Sequence, residues 1–277
     1  VLPRLGSLGR DDCFIPPGLF RCGGDPGVPL QLPSGRIWVD GFVLRRYPVT
    51  NQEIIEWLND LSARGLDEAL EFAIPRPRSA QGDLGHSCFA RRSDGTFELV
   101  ADEYGALPES DYPAVMISWD QALAYTRWLS EQTGQDWRLP DELEWEKAAR
   151  GVDGRSYPWG EGFSAAWCCM EDSKDSKGME GIHSRPEDCS PYGVMDTAGH
   201  VFDWTSSIYS PAPELPADQM CRIERHEESG AHAFTSRGGS WHSLVMFSHC
   251  AMRLGFPGMT QWPMMGFRVA RSLNVET

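Results

Sequence analysis

Eleven tryptophans in a chain that also carries 28 glycines and 20 prolines narrow the fold more than any other feature of these 277 residues. Each Trp brings a large flat apolar surface with one N–H to satisfy. Gly and Pro interrupt regular elements and mark turns. Together they predict much irregular backbone held by big side-chain wedges. That argues against a helical bundle and against a long parallel sheet, whose strands would read as runs of Val and Ile.

Length allows one large domain or two small ones. With 41% hydrophobic and 23% charged residues the chain is ordinary globular material. Its formal net charge is −15. Such a field repels a sugar–phosphate backbone, so nucleic acid is not an expected partner. No apolar run approaches the roughly 20 residues of a membrane-spanning helix. None of the eight cysteines forms a C-x-x-C pair, which removes the zinc-ribbon and thioredoxin readings. A chain this long needs no disulfide staples, so reduced thiols in a cytoplasmic setting are expected. Cell-surface display stays open if a leader preceded Val1.

Residues 1–12 read as a linker or N-terminal extension, 13–272 as the domain and 273–277 as a tail. Phe14–Phe20 is a short punctuated strand segment, and Arg36–Val43 alternates partly like a half-buried strand. Thr50-Asn51-Gln52-Glu53 is a capping box. It opens a helix with Ile54, Trp57, Leu58 and Leu61 on one face and Gly65 at its close. Residues 66–112 read as an irregular excursion with one short strand at Thr96–Val100. A second helix spans Ser118–Thr133, with Trp119, Ala122, Leu123 and Leu129 inward and Gly134 as its stop. A third covers Asp141–Arg150, ended by Gly151. No helical period follows Gly151.

Several motifs in order then carry a resemblance. Arg138-Leu139-Pro140-Asp141-Glu142-Leu143-Glu144-Trp145-Glu146 runs into Ala148-Ala149-Arg150-Gly151. Also present are Pro48–Asn51, Pro113–Trp119, Tyr157–Gly160, the stretch Ser190–Trp204, Arg237–Trp241 and Gly266–Arg268. These resemble R-L-P-T-E-A-E-W-E, P-V-T-N, P-V-x-x-V-S-W, Y-P-W-G, G-N-V-W-E-W, R-G-G-S-W and G-F-R of the formylglycine-generating-enzyme (sulfatase-modifying factor) superfamily. The resemblance covers about residues 13–272. It implies an α+β, C-type-lectin-like fold with few helices, short strands and much irregular loop. Structural roles are expected for the motif residues: Arg138 pinning a loop through bidentate hydrogen bonds, Gly238-Gly239 allowing close backbone approach, and Trp145, Trp159, Trp204 and Trp241 as core wedges.

The same resemblance argues against the enzymatic activity. The superfamily's two active thiols would fall at Ser243 and Ser248, and a hydroxyl cannot serve as a soft thiolate ligand or exchange partner. Cys250 is the one thiol nearby, expected as a small buried hydrophobe. Iron chemistry of a second enzymatic branch needs histidines from a helical domain not found here, and the seven histidines show no H-x-x-x-H spacing. His242 and His249 could approach each other on a surface.

The resemblance further implies a structural calcium, held by the side chains of Asp196 and Asp203 and the carbonyls of Gly199 and Val201. Hard oxygen donors with negative charge suit that ion. The alternative is a turn tied by aspartate hydrogen bonds. The family's other calcium loop, after Pro158-Trp159-Gly160, holds Ala165-Ala166-Trp167-Cys168-Cys169 and lacks the expected Asn, so no ion is expected there.

With catalysis removed, residues 241–265 stand out as rich in Leu, Phe, Trp and Met without helix or strand period. Loop apolar residues on this scale form a satellite core or a binding patch. The layout also resembles the variable proteins of diversity-generating retroelements, which diversify a segment between G-G-S-W and G-F-R. His242-Ser243-Leu244 and Leu254-Gly255-Phe256 are reachable from an AAC template codon by changing adenines. Met252, Met259, Gln261 and Trp262 are not. The expected function is non-catalytic ligand binding, with an unidentified protein as partner. The candidate contacts are His242, Ser243, Leu244, Phe247, His249, Leu254, Phe256, Gln261, Trp262 and Met264, with Phe256 and Trp262 as anchors. Two alternatives remain: an accessory sensor domain, since Cys22–Pro26 resembles lectin-like domains appended to bacterial serine/threonine kinases, and a divergent oxidoreductase acting through Cys250.

Overall fold

A computed structural model describes residues 8–79, 82–173 and 178–273. Residues 1–7 of the expected extension and 274–277 of the tail lie outside them. The architecture is α+β, with four α-helices and twelve short strands among the described residues.

The chain opens with β1 (Asp12–Ile15), β2 (Gly18–Cys22), β3 (Gly35–Val39) and β4 (Phe42–Arg45). Pro16-Pro17 splits the segment expected at 14–20 into two strands, because proline has no N–H for a ladder. Asp40-Gly41 does the same between β3 and β4. β2 and β3 form a hairpin.

Thr50 caps helix α1 (Asn51–Ala63). Glu53 Oε2 accepts the Thr50 N–H at 2.9 Å, completing the capping box. Ile54, Trp57, Leu58 and Leu61 are buried as the spacing predicts. Helix α3 (Trp119–Thr133) has a second capping box through Ser118 and Gln121, and Gly134 stops it in the left-handed region at φ 67°. Between them the 66–112 excursion is more regular than expected. It contains helix α2 (Asp67–Ala73) and a hairpin of β5 (Phe89–Arg91) with β6 (Phe97–Leu99). Seven residues are too few for a periodic signal, and α2 is stabilised by burying Leu70 and Ala73.

After β7 (Trp137–Arg138) comes α4 (Glu142–Arg150), all nine residues of which are buried. Its three glutamates each meet an arginine. Arg138 is bidentate to Glu144 at 2.7 and 2.8 Å, the loop-pinning role expected of it. Arg253 is bidentate to Glu142, and Glu146 lies between Arg150 and Arg237. Lys147 Nζ donates to the carbonyls of Pro16, Gly18 and Val39.

The C-terminal half contributes β8 (Phe202–Ile208), β9 (Ala233–Arg237), β10 (Arg253–Pro257), β11 (Met265–Phe267) and β12 (Ala270–Ser272). β10 corrects the expectation that 241–265 lacks a strand: it pairs antiparallel with β9, from Arg253 opposite Arg237 to Pro257 opposite Ala233. Both its faces are half-covered, so no alternation shows in the sequence. One sheet has the order β10-β9-β8-β11, with β11 parallel to β8. The other has the order β1-β4-β12-β7. The larger core joins α1, α2 and α3 to the first sheet, and Trp119 stacks on Phe234 with centroids 4.0 Å apart. Trp145 and Trp204 are buried wedges. Trp159 and Trp241 are not: both are partly exposed.

Candidate functional site

Gly238 stands at φ 77°, and a Cβ there would lie 3.2 Å from both the Thr197 carbonyl and Trp145. Glycine is required at this close approach. It fixes the start of the segment that the sequence singles out. Trp241 N–H then donates to the His200 carbonyl at 2.9 Å, and Trp241 Nε1 to the Pro263 carbonyl at 3.0 Å. The two limbs of the segment are thus tied together.

The thiol positions are closed. Ser243 is buried, its Oγ 2.7 Å from Ser240 Oγ. Ser248 is buried with its hydroxyl toward Met170 Sδ at 3.9 Å. Cys250 packs between Trp145 and Ala149, as a small hydrophobe would, and burial pushes its thiol well up. A protonated, enclosed thiol is not a nucleophile. None of the eight cysteines is in a disulfide.

The other expected contacts divide by burial. Gln261 is buried, accepting from Arg78 Nε at 2.9 Å and donating to Gln121 Oε1 at 3.1 Å. His249 is held by Asp25 at 3.0 Å and by the Tyr157 hydroxyl at 2.9 Å. His242 contacts Glu171 instead, so the two histidines take different partners. Phe247, Leu254, Phe256 and Met264 are half-buried against the larger core. Phe256 also packs edge-on against Trp262, with centroids 5.2 Å apart. Leu244, Val245, Met259 and Trp262 reach solvent, at 56, 37, 61 and 44% exposure.

Through Trp241 and Pro263 the same segment also walls a cavity of about 620 Å³ that the sequence did not foretell. Its walls include Tyr112, Met116, Met179, Glu180, Trp241 and Pro263. They come from three distant stretches, so no local pattern marks them. Met116 has φ 61° and donates its N–H to the Trp262 carbonyl at 3.1 Å. A non-glycine residue in that region is held there by its surroundings. One backbone bond therefore couples the cavity wall to the exposed Trp262.

The loop from Asp196 to Asp203 is wrapped around Arg268. That guanidinium donates Nη2 to the Asp196 carbonyl at 2.9 Å and Nε to Asp203 Oδ2 at 2.6 Å. Trp145 Nε1 also donates to Asp203 Oδ2, at 2.8 Å. Asp203 Oδ1 and both carboxylate oxygens of Asp196 are buried without a hydrogen-bond donor. Burial, with Asp188 next, pushes the Asp196 carboxyl well up. Asp188, accepting from the N–H groups of Thr197 and Ala198, is itself pushed up by burial to about 6. His200, inside the loop, is pushed down by burial to about 4. Three orphaned carboxylate oxygens in one buried loop match the donor chemistry of a hard cation.

No helix among the described residues is long and apolar enough to cross a membrane. The chain is 30% identical to the inactive C-alpha-formylglycine-generating enzyme 2 of Mus musculus, over 76% of this chain and 74% of that protein. It is 25% identical to a formylglycine-generating enzyme of Mycobacterium tuberculosis, over 75% and 77%. It is 29% identical to the serine/threonine-protein kinase pkn1 of Chlamydia caviae over 94% of this chain, which spans only 38% of the kinase. Among solved structures, PvdO from Pseudomonas aeruginosa superposes with a TM-score of 0.69 at 22% identity, covering 95% of this chain and 94% of that one. Treponema denticola variable protein 1 superposes with a TM-score of 0.62 at 16% identity, covering 94% of each. The sulfatase-modifying factor enzyme 1-like domain matches residues 6–273, and the chain belongs to that family.

Proposed function

We propose that this chain is a non-catalytic member of its family that binds a protein ligand through the C-terminal segment. The carrying observation is a contrast within that segment. Serines stand at both thiol positions and are enclosed, while Leu244, Val245, Met259 and Trp262 stand in solvent and Trp241 and Pro263 of the same segment wall a cavity. Exposed aromatic and Met side chains around a concave site are the usual anchors of an interface. The segment is tied at both limbs, so ordering it on binding costs little entropy. The fold shared with the Treponema variable protein supports display of a varied surface here. A reverse transcriptase beside a near-copy of the 3′ coding segment would carry that part of the reading, and its absence from the genomic neighbourhood would remove it.

Peptides selected from a random library against the full chain supply probes. Trp262→Ala should weaken the selected binders by roughly 2 kcal/mol, about thirtyfold in Kd. Undiminished binding to a Leu244→Ser, Trp262→Ala double variant would place the site elsewhere.

A structural calcium belongs to the same proposal. The Asp196 carboxylate, Asp203 Oδ1 and the Gly199 and Val201 carbonyls would hold it, and it would neutralise the buried loop and stiffen the base of the segment. A second reading, a sensor domain within a longer signalling protein, is supported by the match to the chlamydial kinase across nearly the whole of this chain.

A further inference from the structure

Cys169, Glu180 and His200 are brought together although 11 and 20 residues separate them in sequence. One ligand atom of each lies within 4.8 Å of the others. Cys169 and His200 are buried and Glu180 is half-buried. The assembly depends on Gly199. His200 N–H donates to the Cys169 carbonyl at 2.9 Å, and a Cβ on Gly199 would stand 2.2 Å from that oxygen. Only glycine lets the two strands of backbone approach this closely. His200 follows at φ 61°, a conformation that a non-glycine residue keeps only where its surroundings impose it.

The imidazole is oriented as a ligand. Its Nδ1 lies 3.4 Å from Asp196 Oδ1, and neither atom has a hydrogen-bond partner. A cation at Nε2 requires the ring proton on Nδ1, where Asp196 Oδ1 stands to accept it, the arrangement found behind metal-bound histidines. Nε2 faces the Gly181 carbonyl and Ser184 Oγ, both at 3.3 Å. Without a cation a proton on Nε2 satisfies the Gly181 carbonyl, and loading moves that proton to Nδ1. Glu180 is bidentate to Arg185 at 2.7 and 2.6 Å, which leaves a second lone pair on each oxygen. Glu180 also lines the 620 Å³ cavity.

We propose that Cys169 Sγ, His200 Nε2 and a Glu180 oxygen form a binding site for a zinc-type divalent cation, with the fourth coordination position open to the cavity. A sulfur, a nitrogen and an oxygen donor with one open position is a set zinc accepts. Bonds of about 2.0–2.3 Å can close the present span through small side-chain rotations. A thiolate selects against calcium and magnesium. Its donor set therefore differs from the all-oxygen set of Asp196 and Asp203, although Asp196 stands directly behind His200. Loading deprotonates Cys169, and one proton passes to solvent for each cation bound.

The test titrates the metal-stripped full chain with Co2+ and then Zn2+ in excess calcium, under a non-thiol reductant. We expect one equivalent of Co2+, a thiolate-to-cobalt charge-transfer band, and its loss on adding Zn2+. The band should vanish in Cys169→Ser and persist in Cys88→Ser. Glu180→Gln, altered at a half-exposed position, should weaken binding by about tenfold or more. Absence of a stoichiometric band, its survival in folded Cys169→Ser, or unchanged affinity in Glu180→Gln would each overturn the site.

Discussion

Replacing Glu146 by Gln should remove about 3–5 kcal/mol of the chain's stability. Glu146 is wholly buried at the centre of α4. Its Oε1 accepts from Gly23 N–H at 2.7 Å and from Arg150 Nη1 at 2.8 Å, and its Oε2 meets Arg237. Arg150 and Arg237 are as buried as the glutamate. Gln keeps the volume and removes the only negative charge shared by two desolvated guanidiniums. It also turns an amide donor toward one of them. Breaking a buried pair from one side costs about 3–5 kcal/mol, because the remaining charge is uncompensated. For a domain of this size that is a fall in Tm of roughly 10 °C. Urea unfolding followed by tryptophan fluorescence reads the loss directly, with the slope unchanged if only stability moves. The cost should persist at high salt, since buried pairs are poorly screened. A loss below about 1 kcal/mol, or one that disappears in salt as a surface pair would, refutes the argument.

Calcium should raise the thermal midpoint, by roughly 3 kcal/mol of stability at a hundredfold excess over Kd. An unchanged midpoint after chelation and titration, with no difference in the Asp196→Asn, Asp203→Asn double variant, would remove that ion. A sulfatase-type C-x-P-x-R peptide should gain no aldehyde when incubated with the chain and copper, because Ser243 and Ser248 supply no thiolate; mass spectrometry decides. Asp141 is buried, and burial pushes its carboxyl up to about 6. The unfolded group titrates near 4. Between those values the folded chain holds the proton more tightly, so this group's contribution is full below about pH 4 and is lost as pH rises through 6. Asp141→Asn should flatten that slope, by roughly 3 kcal/mol across the window, while keeping a good N-cap. Parallel slopes for the two proteins would contradict it.

The elements legible in the sequence are those fixed by local chemistry. Thr50 announces α1 through its capping partner Glu53, and Gly134 and Gly151 mark the ends of α3 and α4, whereas the Ser118–Gln121 box emerged only from the structure. The bidentate role of Arg138 was readable from its motif, while its partner Glu144 was not. α2 was missed because two buried residues in one short helix make no period. β10 was missed because half-buried faces give no alternation. Two tryptophans were misplaced for a related reason: side-chain size says that Trp159 and Trp241 pack against something, not that they pack inside. The cavity and the Cys169–Glu180–His200 cluster depend on contacts between distant stretches, and no local pattern marks them.

The strand Ala270–Ser272 lies between β4 and β7, so the last described residues form the middle of a sheet whose other members come from the first half of the chain. During synthesis β4 and β7 are therefore made before the strand that joins them. Arg268, which organises the Asp196 loop, arrives at the same late moment. The second sheet, the aspartate loop and the sequestering of two open strand edges become possible only once Arg268 and β12 have been made. Folding that waits for such distant pairing is slow, and exposed edges are then available to neighbouring chains. Removing Arg268–Ser272 should consequently leave material that collapses and associates, rather than a shortened domain.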